Sequence, residues 1–242
     1  MDRQFIRYER QILLPEIGTA GQCRLARASV LVVGAGGLGA PALQYLAAAG
    51  VGHIGVVDGD AVSESNLNRQ ILYGGDDIGG KKADLAVERL RRINGEIKIS
   101  AIPEALTDDN ACEIIRGYSA LALCADSLGA RKTANRACAA ANVPFVDGAV
   151  NRFHGTVMTV VPGETPCYEC VYGHSAQSGE IIPVLGAMAG WVGCAQAMAA
   201  IRLLLGADDP SRGAILLLDG NDMTTERIPV EKNPRCAVCG RL

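Results

Sequence analysis

The run DGDAVSESNLNRQ, from Asp58 to Gln70, places charged and amide side chains directly after the short apolar segment HIGVV. It contains the acids Asp58 and Asp60, together with Asn66 and Arg69. An acid at the end of a strand is the group that bonds a ribose hydroxyl in dinucleotide-binding folds. The other polar side chains exceed what a ribose needs, so the run predicts contacts to a second, charged part of a ligand.

A glycine-rich turn precedes this run. Gly34, Gly36 and Gly39 form G-x-G-x-x-G between the apolar segment SVLVV and a helix-forming segment, and Gly37 is a further residue without a Cβ. Such glycines allow a tight turn and let phosphate approach backbone amides at a helix N-terminus. The alternative is a strand-to-helix turn that binds nothing. With Asp58 at the expected offset, the motif predicts a nucleotide site but does not distinguish NAD from ATP.

The cations and the second acid favour a triphosphate. Arg69 and the pair Lys81 and Lys82 supply positive charge, and Asp126 ends the apolar segment ALALC. Phosphoryl chemistry is stabilised by Arg, Lys and Mg²⁺, and an acid at a strand end can hold Mg²⁺. Hydride transfer requires none of these groups. Taken singly, the lysines fit a solvated surface pair, Arg69 an ordinary surface residue and Asp126 a helix cap.

Two C-x-x-C pairs indicate a metal site. CYEC contains Cys167 and Cys170, and CAVC contains Cys236 and Cys239. Four thiolates suit tetrahedral Zn²⁺. The pairs lie much farther apart than the 15–20 residues typical of a zinc ribbon, so we expect a clasp that holds the C-terminal segment on the body of the protein. An iron–sulfur centre, a redox dithiol and unligated thiols are the alternatives. The isolated cysteines are expected to be small buried apolar residues: Cys23, Cys112, Cys124, Cys138 and Cys194.

The elements that position these residues alternate between strand and helix as far as residue 150, which predicts a parallel sheet with helices on both faces. From His154 the pattern changes to strands that can pair antiparallel. We therefore predict an α/β, Rossmann-like, mostly parallel sheet that continues into antiparallel strands, as one domain over 1–242 with N-terminal helices (1–27), a nucleotide-binding half (28–150) and a second half (151–242). Predicted helices cover 4–14, 18–28, 40–50, 79–95, 109–118 and 130–142, with a long one ending near Leu205; predicted strands cover 29–34, 53–58, 97–102, 120–126, 144–150, 154–163, 214–219 and 225–230.

Composition excludes several classes of partner. The net charge is −3 and aromatic residues make up 4%, which argues against a nucleic-acid-binding surface. The polar start does not resemble a signal peptide, and no uncharged apolar run reaches the length of a membrane span. The expectation is a soluble cytoplasmic protein.

The motifs RYERQILLPEIG, GAGGLG, DGDAVSESNLNRQ, GGKKADLA, CADS, CYEC and NPRCAVCG, in this order, resemble the bacterial ubiquitin-activating-enzyme-like adenylyltransferases, of the molybdopterin-synthase and thiamine sulfur-carrier type. The resemblance covers nearly the whole chain. It implies a homodimer that uses Mg·ATP to adenylate the C-terminal glycine carboxylate of a small ubiquitin-like sulfur-carrier protein ending in Gly-Gly. Pyrophosphate is released, and a sulfur donor then forms a thiocarboxylate. Residues 151–242 become the carrier-binding and zinc-binding half.

The resemblance also implies roles for single residues. The glycines form the nucleotide loop, Asp58 holds the ribose, Asp126 holds Mg²⁺, and Arg10 reaches the ATP of the neighbouring subunit. Lys82 matches the phosphate-binding lysine better than Lys81. The implied catalytic residues are Arg10, Arg69, Lys82 and Asp126; the implied ATP-binding residues are Gly34, Gly36, Gly37, Gly39, Asp58, Asp60, Asn66, Arg69, Gln70, Lys82, Asp126 and Ser127.

The sequence departs from the family pattern at three places. Ser127 stands where relatives often carry Asn, and the loop 173–186 contains no cysteine but has Ser178 and Gly179 where relatives carry one. We therefore predict adenylation without a covalent intermediate through this loop. No rhodanese-like extension follows CGRL, so we expect sulfur to come from another protein, such as a cysteine desulfurase or a rhodanese. The rival functions are an NAD-dependent oxidoreductase, a non-catalytic scaffold, and adenylation of a peptide or small-molecule carboxylate.

Overall fold

An eight-stranded sheet forms the centre of the computed structural model, which describes residues 3–173 and 182–240. The first five strands in chain order are parallel to one another, and the last three join antiparallel. The strands are β1 (Ser29–Val33), β2 (His53–Val57), β3 (Lys98–Ile102), β4 (Ala120–Leu123), β5 (Phe145–Asn151), β6 (His154–Val160), β7 (Ala214–Asp219) and β8 (Thr224–Pro229).

The order of the strands across the sheet is β3-β2-β1-β4-β5-β6-β7-β8. The chain moves from β1 outward to β2 and β3, and then returns to place β4 on the other side of β1. In open α/β sheets, ligands bind at this point of reversal, outside the carboxyl ends of the strands. The glycine-rich turn follows β1, and Asp126 follows β4. The predicted fold class is confirmed, and its topology directs both segments to one edge of the sheet.

Helices cover both faces of the sheet. On one face they pack against Val30 and Val32 of β1, and on the other against Leu31 and Val33, as the alternation of side chains along a strand requires. The helices are α1 (Glu9–Ile12), α2 (Gly18–Arg27), α3 (Gly39–Ala48), α4 (Lys82–Ile93), α5 (Ala111–Ile115), α6 (Leu128–Ala141), α7 (Tyr168–Tyr172) and α8 (Gly186–Leu205), with short 3₁₀ helices at Arg3–Tyr8, Glu64–Asn66 and Gly75–Asp77.

Helix α8 carries small residues where it crosses α3. A Cβ on Gly193 would lie 2.2 Å from the Leu38 carbonyl oxygen, so glycine is needed for this close approach. By length and composition, α8 is the one helix of the described residues that could cross a membrane, and 44% of its most apolar window is buried within the protein. Its buried residues belong to the core between α3 and the sheet. This packing is that of a core helix.

Three element boundaries differ from the sequence prediction. The segment predicted as a helix over 4–14 is a 3₁₀ helix followed by the four residues of α1. Helix α5 is shorter than predicted, because the Asn110 side chain accepts a hydrogen bond from the Thr107 amide and forms a turn instead. Strand β4 ends at Leu123 rather than at Asp126. Its neighbour β1 ends at Val33, whose carbonyl accepts the last bond, 2.8 Å from the Cys124 amide.

Candidate functional site

The glycine-rich turn leaves β1 with Gly34 at φ +93°, a conformation that favours glycine. A Cβ on Gly34 would lie 2.7 Å from the Cys124 carbonyl oxygen, and one on Gly39 would lie 1.9 Å from the Gly34 carbonyl oxygen. Glycine is therefore required at position 34 because the turn packs against the segment that follows β4, and at position 39 because the turn closes tightly on itself. Helix α3 begins at Gly39, and among the residues that the structure describes no side chain caps its N-terminal amides. The turn therefore presents unpartnered amides of the kind that bind phosphate.

The other two glycines lie beneath the polar run. The ideal Cβ position of Gly36 is 3.3 Å from Gln70 Nε2, and that of Gly37 is 3.4 Å from Arg69 Cγ. Gln70 is 5% exposed, and among the described residues its Oε1 is a buried side-chain oxygen without a hydrogen-bond partner. Native proteins seldom leave such an atom unpaired. This orphaned acceptor beside a turn without side chains fits a ligand that lies over the turn.

Asp58 connects the turn to the end of β2. Its Oδ2 accepts a hydrogen bond from the Ala35 amide at 2.7 Å, and its Oδ1 accepts one from the Asp60 amide at 2.9 Å. Burial raises the pKa of Asp58, and these two amides and Lys82 oppose that rise. A carboxylate has about four lone-pair sites, so Asp58 keeps the capacity to accept hydrogen bonds from ribose hydroxyls.

Lys82 is a buried cation at the first position of α4. Its Nζ lies 3.0 Å from Asp60 Oδ2, and the side chains are 7% and 74% exposed. The alternative of a solvated surface pair is therefore wrong for Lys82, while Lys81 is exposed. Tyr73, which the sequence analysis missed, donates its hydroxyl to the carbonyl oxygens of Ala35 and Lys82, at 2.9 and 3.2 Å. One buried hydroxyl thus links the glycine-rich turn to the lysine that begins α4.

Arg69 and Asn66 lie at the exposed side of the turn. The Arg69 guanidinium donates to the Ser65 carbonyl oxygen at 2.8 Å and to Asn68 Oδ1 at 3.0 Å. The Asn66 side chain accepts a hydrogen bond from the Ser63 amide at 3.2 Å and caps the 3₁₀ helix Glu64–Asn66. The structure thus brings Arg69 and Gln70 onto the turn, whereas the Asn66 oxygen serves the local fold and leaves its NH₂ group for a ligand.

Asp126 follows β4 on the other side of the turn. It is exposed, and among the described residues its side chain makes no hydrogen bond or ion pair. The alternative that Asp126 caps the next helix is wrong, because Ser127 is the N-cap of α6 and accepts a hydrogen bond from the Ala130 amide at 3.2 Å. The Cys124 carbonyl packs on Gly34, so the loop that carries Asp126 contacts the glycine-rich turn directly.

Arg10 lies away from its own glycine-rich turn. The neighbouring residues Tyr8 and Gln11 pack on the segment after α3: Gln11 Nε2 donates to the Ala49 carbonyl oxygen at 3.1 Å, and a Cβ on Gly50 would touch the Tyr8 ring. The turn is at the opposite end of α3, a ten-residue helix about 15 Å long. Arg10 is exposed. Within one chain it is not part of the site.

The four predicted cysteine ligands meet on the face of the sheet that α6 covers. Their sulfur atoms all lie within 4.8 Å of one another, and three of the separations are 3.9, 3.6 and 3.3 Å. The sulfur–sulfur edge of a tetrahedral Zn–thiolate site is about 3.8 Å for Zn–S bonds of about 2.3 Å, whereas a disulfide needs about 2.05 Å. The donor set therefore fits a metal ion. The ligands Cys167 and Cys236 are 69 residues apart, as expected of a clasp.

One further residue touches this cluster. Asn135 of α6 is 1% exposed; its Nδ2 donates to Cys167 Sγ at 3.6 Å, and its Oδ1 accepts from the Tyr168 amide at 3.1 Å. Such partners orient the ligands of a metal. Among the isolated cysteines, Cys124 and Cys138 are buried as expected, and Cys23, Cys112 and Cys194 are half-buried. Burial raises the pKa of the Cys124 thiol to about 12, so it is inert at neutral pH.

Part of the predicted loop 173–186 lies outside the described residues, including Ser178 and Gly179. Within the described residues of this loop, the segment 183–185 runs beside the hairpin between β5 and β6: the Arg152 amide donates to the Pro183 carbonyl oxygen at 2.7 Å. Adenylation without a covalent intermediate through this loop stays a prediction.

The sequence is similar to that of known proteins over nearly its whole length. The model of the ThiF family matches residues 8–238. The mouse protein "Adenylyltransferase and sulfurtransferase MOCS3" is 43% identical over 98% of this chain and 53% of its own length. "Sulfur carrier protein adenylyltransferase" of Thermus thermophilus is 42% identical over 97% of this chain and 90% of its own. "SAMP-activating enzyme E1" of Haloferax volcanii is 40% identical, over 98% and 89% respectively.

Lengths differ among these relatives, since this chain spans about half of the MOCS3 protein and most of the other two. Among solved structures, E. coli MccB with ATP superposes with a TM-score of 0.87 at 24% identity, over 97% of this chain and 74% of MccB. At that identity the likeness concerns the fold alone. None of these relatives is named as an oxidoreductase, so the comparisons do not favour the NAD-dependent rival.

Proposed function

The chain belongs to the ThiF family, and we propose that it is an adenylyltransferase that uses Mg·ATP to activate the C-terminal glycine carboxylate of a small ubiquitin-like sulfur-carrier protein. The observation that carries the proposal is the position of the buried ammonium of Lys82. The ammonium lies 3.0 Å from Asp60 Oδ2 and favours the charged form of Asp58. The Tyr73 hydroxyl donates to the main-chain carbonyl oxygens of Lys82 and Ala35, and so holds the start of α4 to the glycine-rich turn. Arg69 lies over the same turn. Two cations against uncapped amides suit a polyphosphate.

The chemistry requires no general base. A C-terminal carboxylate has a pKa of about 3.5 and is ionised at pH 7. It attacks the α-phosphorus of ATP, the bond from that phosphorus to the bridging oxygen breaks, and pyrophosphate leaves. The product is an acyl-adenylate. A nucleophile with sulfur at the sulfide oxidation level then attacks its carbonyl carbon, the bond from that carbon to the phosphate oxygen breaks, AMP leaves, and a thiocarboxylate forms. The chain's task is to orient the two reactants and to stabilise negative charge on the phosphates.

The residues divide this task by position. Asp58 binds the ribose, the amides of the turn and of α3 bind phosphate, and Arg69 and Lys82 stabilise the charge of the triphosphate. Asp126 would hold Mg²⁺, which neutralises phosphate charge when bound. The remaining ATP contacts are assigned to Gln70, Asn66, Asp60 and Ser127. Gln70 has an unpaired amide oxygen for this purpose, whereas Asp60 and Ser127 already have partners in the chain.

Zinc has a separate, structural role in this proposal. The four thiolates would hold Zn²⁺ as a closed site, with no position left for substrate. The metal would fix the segment around Cys236 and Cys239 to α7.

The proposal includes partners. A homodimer would bring Arg10 of one chain to the nucleotide of the other, since Arg10 lies about a helix length from its own turn. The sulfur donor is a second protein, a cysteine desulfurase or a rhodanese acting in trans, and the cytoplasm is the compartment in which these proteins meet.

Intact mass spectrometry tests the reaction. A panel of carrier proteins ending in Gly-Gly is incubated with the protein and Mg·ATP, and the mass of each carrier is measured. We expect one carrier to gain the mass of an adenylyl group, and not when its last glycine is removed. Absence of an adenylate on every carrier, with ATP binding intact, would overturn the carrier as substrate and turn the search to peptide or small-molecule carboxylates.

A further inference from the structure

A buried ion pair joins α6 to the middle of β5. Arg131 and Asp147 have side chains that are 9% and 2% exposed, and their charged groups are in direct contact. The same guanidinium donates to two backbone carbonyl oxygens, of Ala125 at 2.6 Å and of Gly148 at 2.7 Å. Arg131 therefore makes three contacts, and two of them fix the main chain rather than a charge.

Stability alone does not account for this pair. Burial raises the pKa of Asp147, and the Arg131 guanidinium opposes that rise by favouring the charged carboxylate. Desolvation of two such groups offsets much of their attraction, and apolar replacements of buried pairs are often as stable. A planar guanidinium, however, can hold several acceptors in a fixed geometry. The pair is thus better suited to positioning than to stabilisation.

The position that it sets is that of Asp126. The Ala125 carbonyl held by Arg131 directly precedes Asp126, and the Ser127 side chain that follows caps α6. One residue earlier, the Cys124 amide is fixed to Val33. The loop is therefore held on both sides of Asp126, while the Asp126 carboxylate itself is exposed. This arrangement presents one free carboxylate at a fixed place beside the glycine-rich turn.

The second anchor of the guanidinium is rigid. A Cβ on Gly148 would lie 2.2 Å from the Gln196 side chain, and Gln196 Nε2 donates to the carbonyl oxygens of Leu123 and Val146 at 2.9 and 3.2 Å. The backbone that holds Arg131 is therefore itself packed between β4, β5 and α8.

We propose that Arg131, held in place by Asp147, is a positioning residue that orients Asp126 toward the divalent cation bound with the phosphates of the nucleotide. The proposal rests on the proposed function for the role of Asp126. Removing a group that holds a metal ligand in place commonly changes metal affinity 10- to 100-fold. We therefore expect the main effect in the dependence of ATP binding on Mg²⁺.

The experiment measures the Kd of ATP by calorimetry, without a carrier protein, in excess Mg²⁺ and in EDTA. The variant R131M/D147L removes the charges as a pair and leaves neither ion uncompensated. Asp126→Ala gives the value without the ligand. Arg136→Met is the matched control, because Arg136 pairs with Asp108 on the exposed side of the same helix. The Kd in EDTA divided by the Kd in excess Mg²⁺ is the factor by which the cation strengthens ATP binding.

We expect R131M/D147L to lower this ratio about 10-fold, to near the value of Asp126→Ala, with the Kd in EDTA unchanged. Arg136→Met should keep the parental ratio. If R131M/D147L does not fold, Arg131→Lys serves instead: it keeps a charge beside Asp147 but lacks the fork that holds Ala125. An unchanged ratio in a folded variant of either kind overturns the inference.

Failure of the proposed function has a different signature. If the parent protein binds Mg·ATP but adenylates no carrier, the proposed carrier substrate is wrong. The role of Arg131 is still decided by the ratio of Kd values, because that ratio is measured without a carrier. A parent that binds ATP equally well with and without Mg²⁺ overturns the positioning role, since no cation is then held.

Discussion

Lys82 and Asp60 form an ion pair in which the cation is buried and the anion is exposed: the Lys82 side chain is 7% accessible and that of Asp60 is 74%. The asymmetry matters because the two partners depend on the pair to different degrees. Water can solvate Asp60 without Lys82, whereas Lys82 needs a negative partner at its place. A triphosphate bound over the turn would supply such a partner.

Lys82→Ala should therefore abolish adenylation and spare the fold. Removing one preorganised charge from a site of this kind lowers the rate by about 100-fold or more. The remaining Asp60 is exposed, so its loss of a partner should change the melting midpoint little. The measurement is pyrophosphate release together with thermal unfolding. Lys81→Ala is the control, since Lys81 is exposed and should keep full activity; equal activity in both variants would contradict the assignment of Lys82.

Mixing two inactive variants should restore activity if Arg10 acts across a dimer. Arg10→Ala and Lys82→Ala chains, unfolded and refolded together, form mixed dimers in which one of the two sites has both residues intact. Random pairing predicts about a quarter of the parental activity, measured as pyrophosphate release. Each variant alone is the control. Recovery of no activity from a mixture that contains mixed dimers would place Arg10 outside the partner's site.

Gly39→Ala should prevent the glycine-rich turn from closing. Its Cβ would stand 1.9 Å from the Gly34 carbonyl oxygen, so the main chain has to move. We expect a loss of about 3 kcal/mol in the free energy of unfolding and loss of ATP binding, measured by denaturant titration and calorimetry. Gly75→Ala is the matched control, because no atom of the described residues, apart from Gly75 and its chain neighbours, lies within 4 Å of its Cβ position. Wild-type affinity in Gly39→Ala would contradict the tight turn.

Removal of the metal should lower stability more than it lowers the chemistry. The parent is expected to contain one Zn²⁺ per chain, measured by native mass spectrometry. Stripping it with a chelator should lower Tm by about 10 °C, or roughly 3 kcal/mol for a domain of this size. Activity per folded molecule should remain. A metal-free protein with an unchanged Tm would exclude the clasp, and Cys194→Ser is the control variant that leaves metal content intact.

Acid should remove the stabilisation that Asp77 provides. The Gly74 amide, and then the Arg89 guanidinium, hold the pKa of Asp77 below its ordinary value of 3.8. An acid whose pKa is lowered by folding stabilises the protein above its unfolded pKa and loses that contribution as pH falls through the folded one. Asp77→Asn should therefore be less stable than the parent at pH 7, by about 1 kcal/mol. The gap in free energy of unfolding should close below about pH 3.8. A constant gap down to pH 2 would assign the effect to packing.

The sequence was sufficient for the family, the sheet and the set of residues around the turn, because these depend on local patterns. Short apolar runs mark the buried strands, and each pair of cysteines has the C-x-x-C spacing typical of metal ligands. The resemblance to ubiquitin-activating-enzyme-like adenylyltransferases is confirmed by the family match and by the named relatives.

What the sequence did not provide depends on contacts between distant segments. The family resemblance favoured Lys82 over Lys81, but the residue pattern alone did not show that Lys82 is buried and Lys81 exposed, because this depends on how the start of α4 packs against Tyr73. Arg131 lies in a polar helical pattern that gives no sign of burial. Asp147 within the apolar segment PFVDGAV was the available signal, since an acid in a buried strand requires a partner. Ser127 rather than Asp126 caps α6. This depends on where β4 ends, and β4 ends beside the last residue of its neighbour β1.

Ser127, Arg131 and Asn135 follow one another at intervals of four residues along α6, so a single side of this helix contacts the Asp126 loop, the backbone of β5 and the sulfur of Cys167. The helix has 14 residues and is about 21 Å long. Because the three contacts are made by one helix, a rotation or translation of α6 that changes the contact at one end also displaces the contact at the other end. The position of the Asp126 loop and the position of the Cys167 sulfur are therefore linked through α6. We expect a substitution that shifts this helix at one of the two sites to change the geometry of the other.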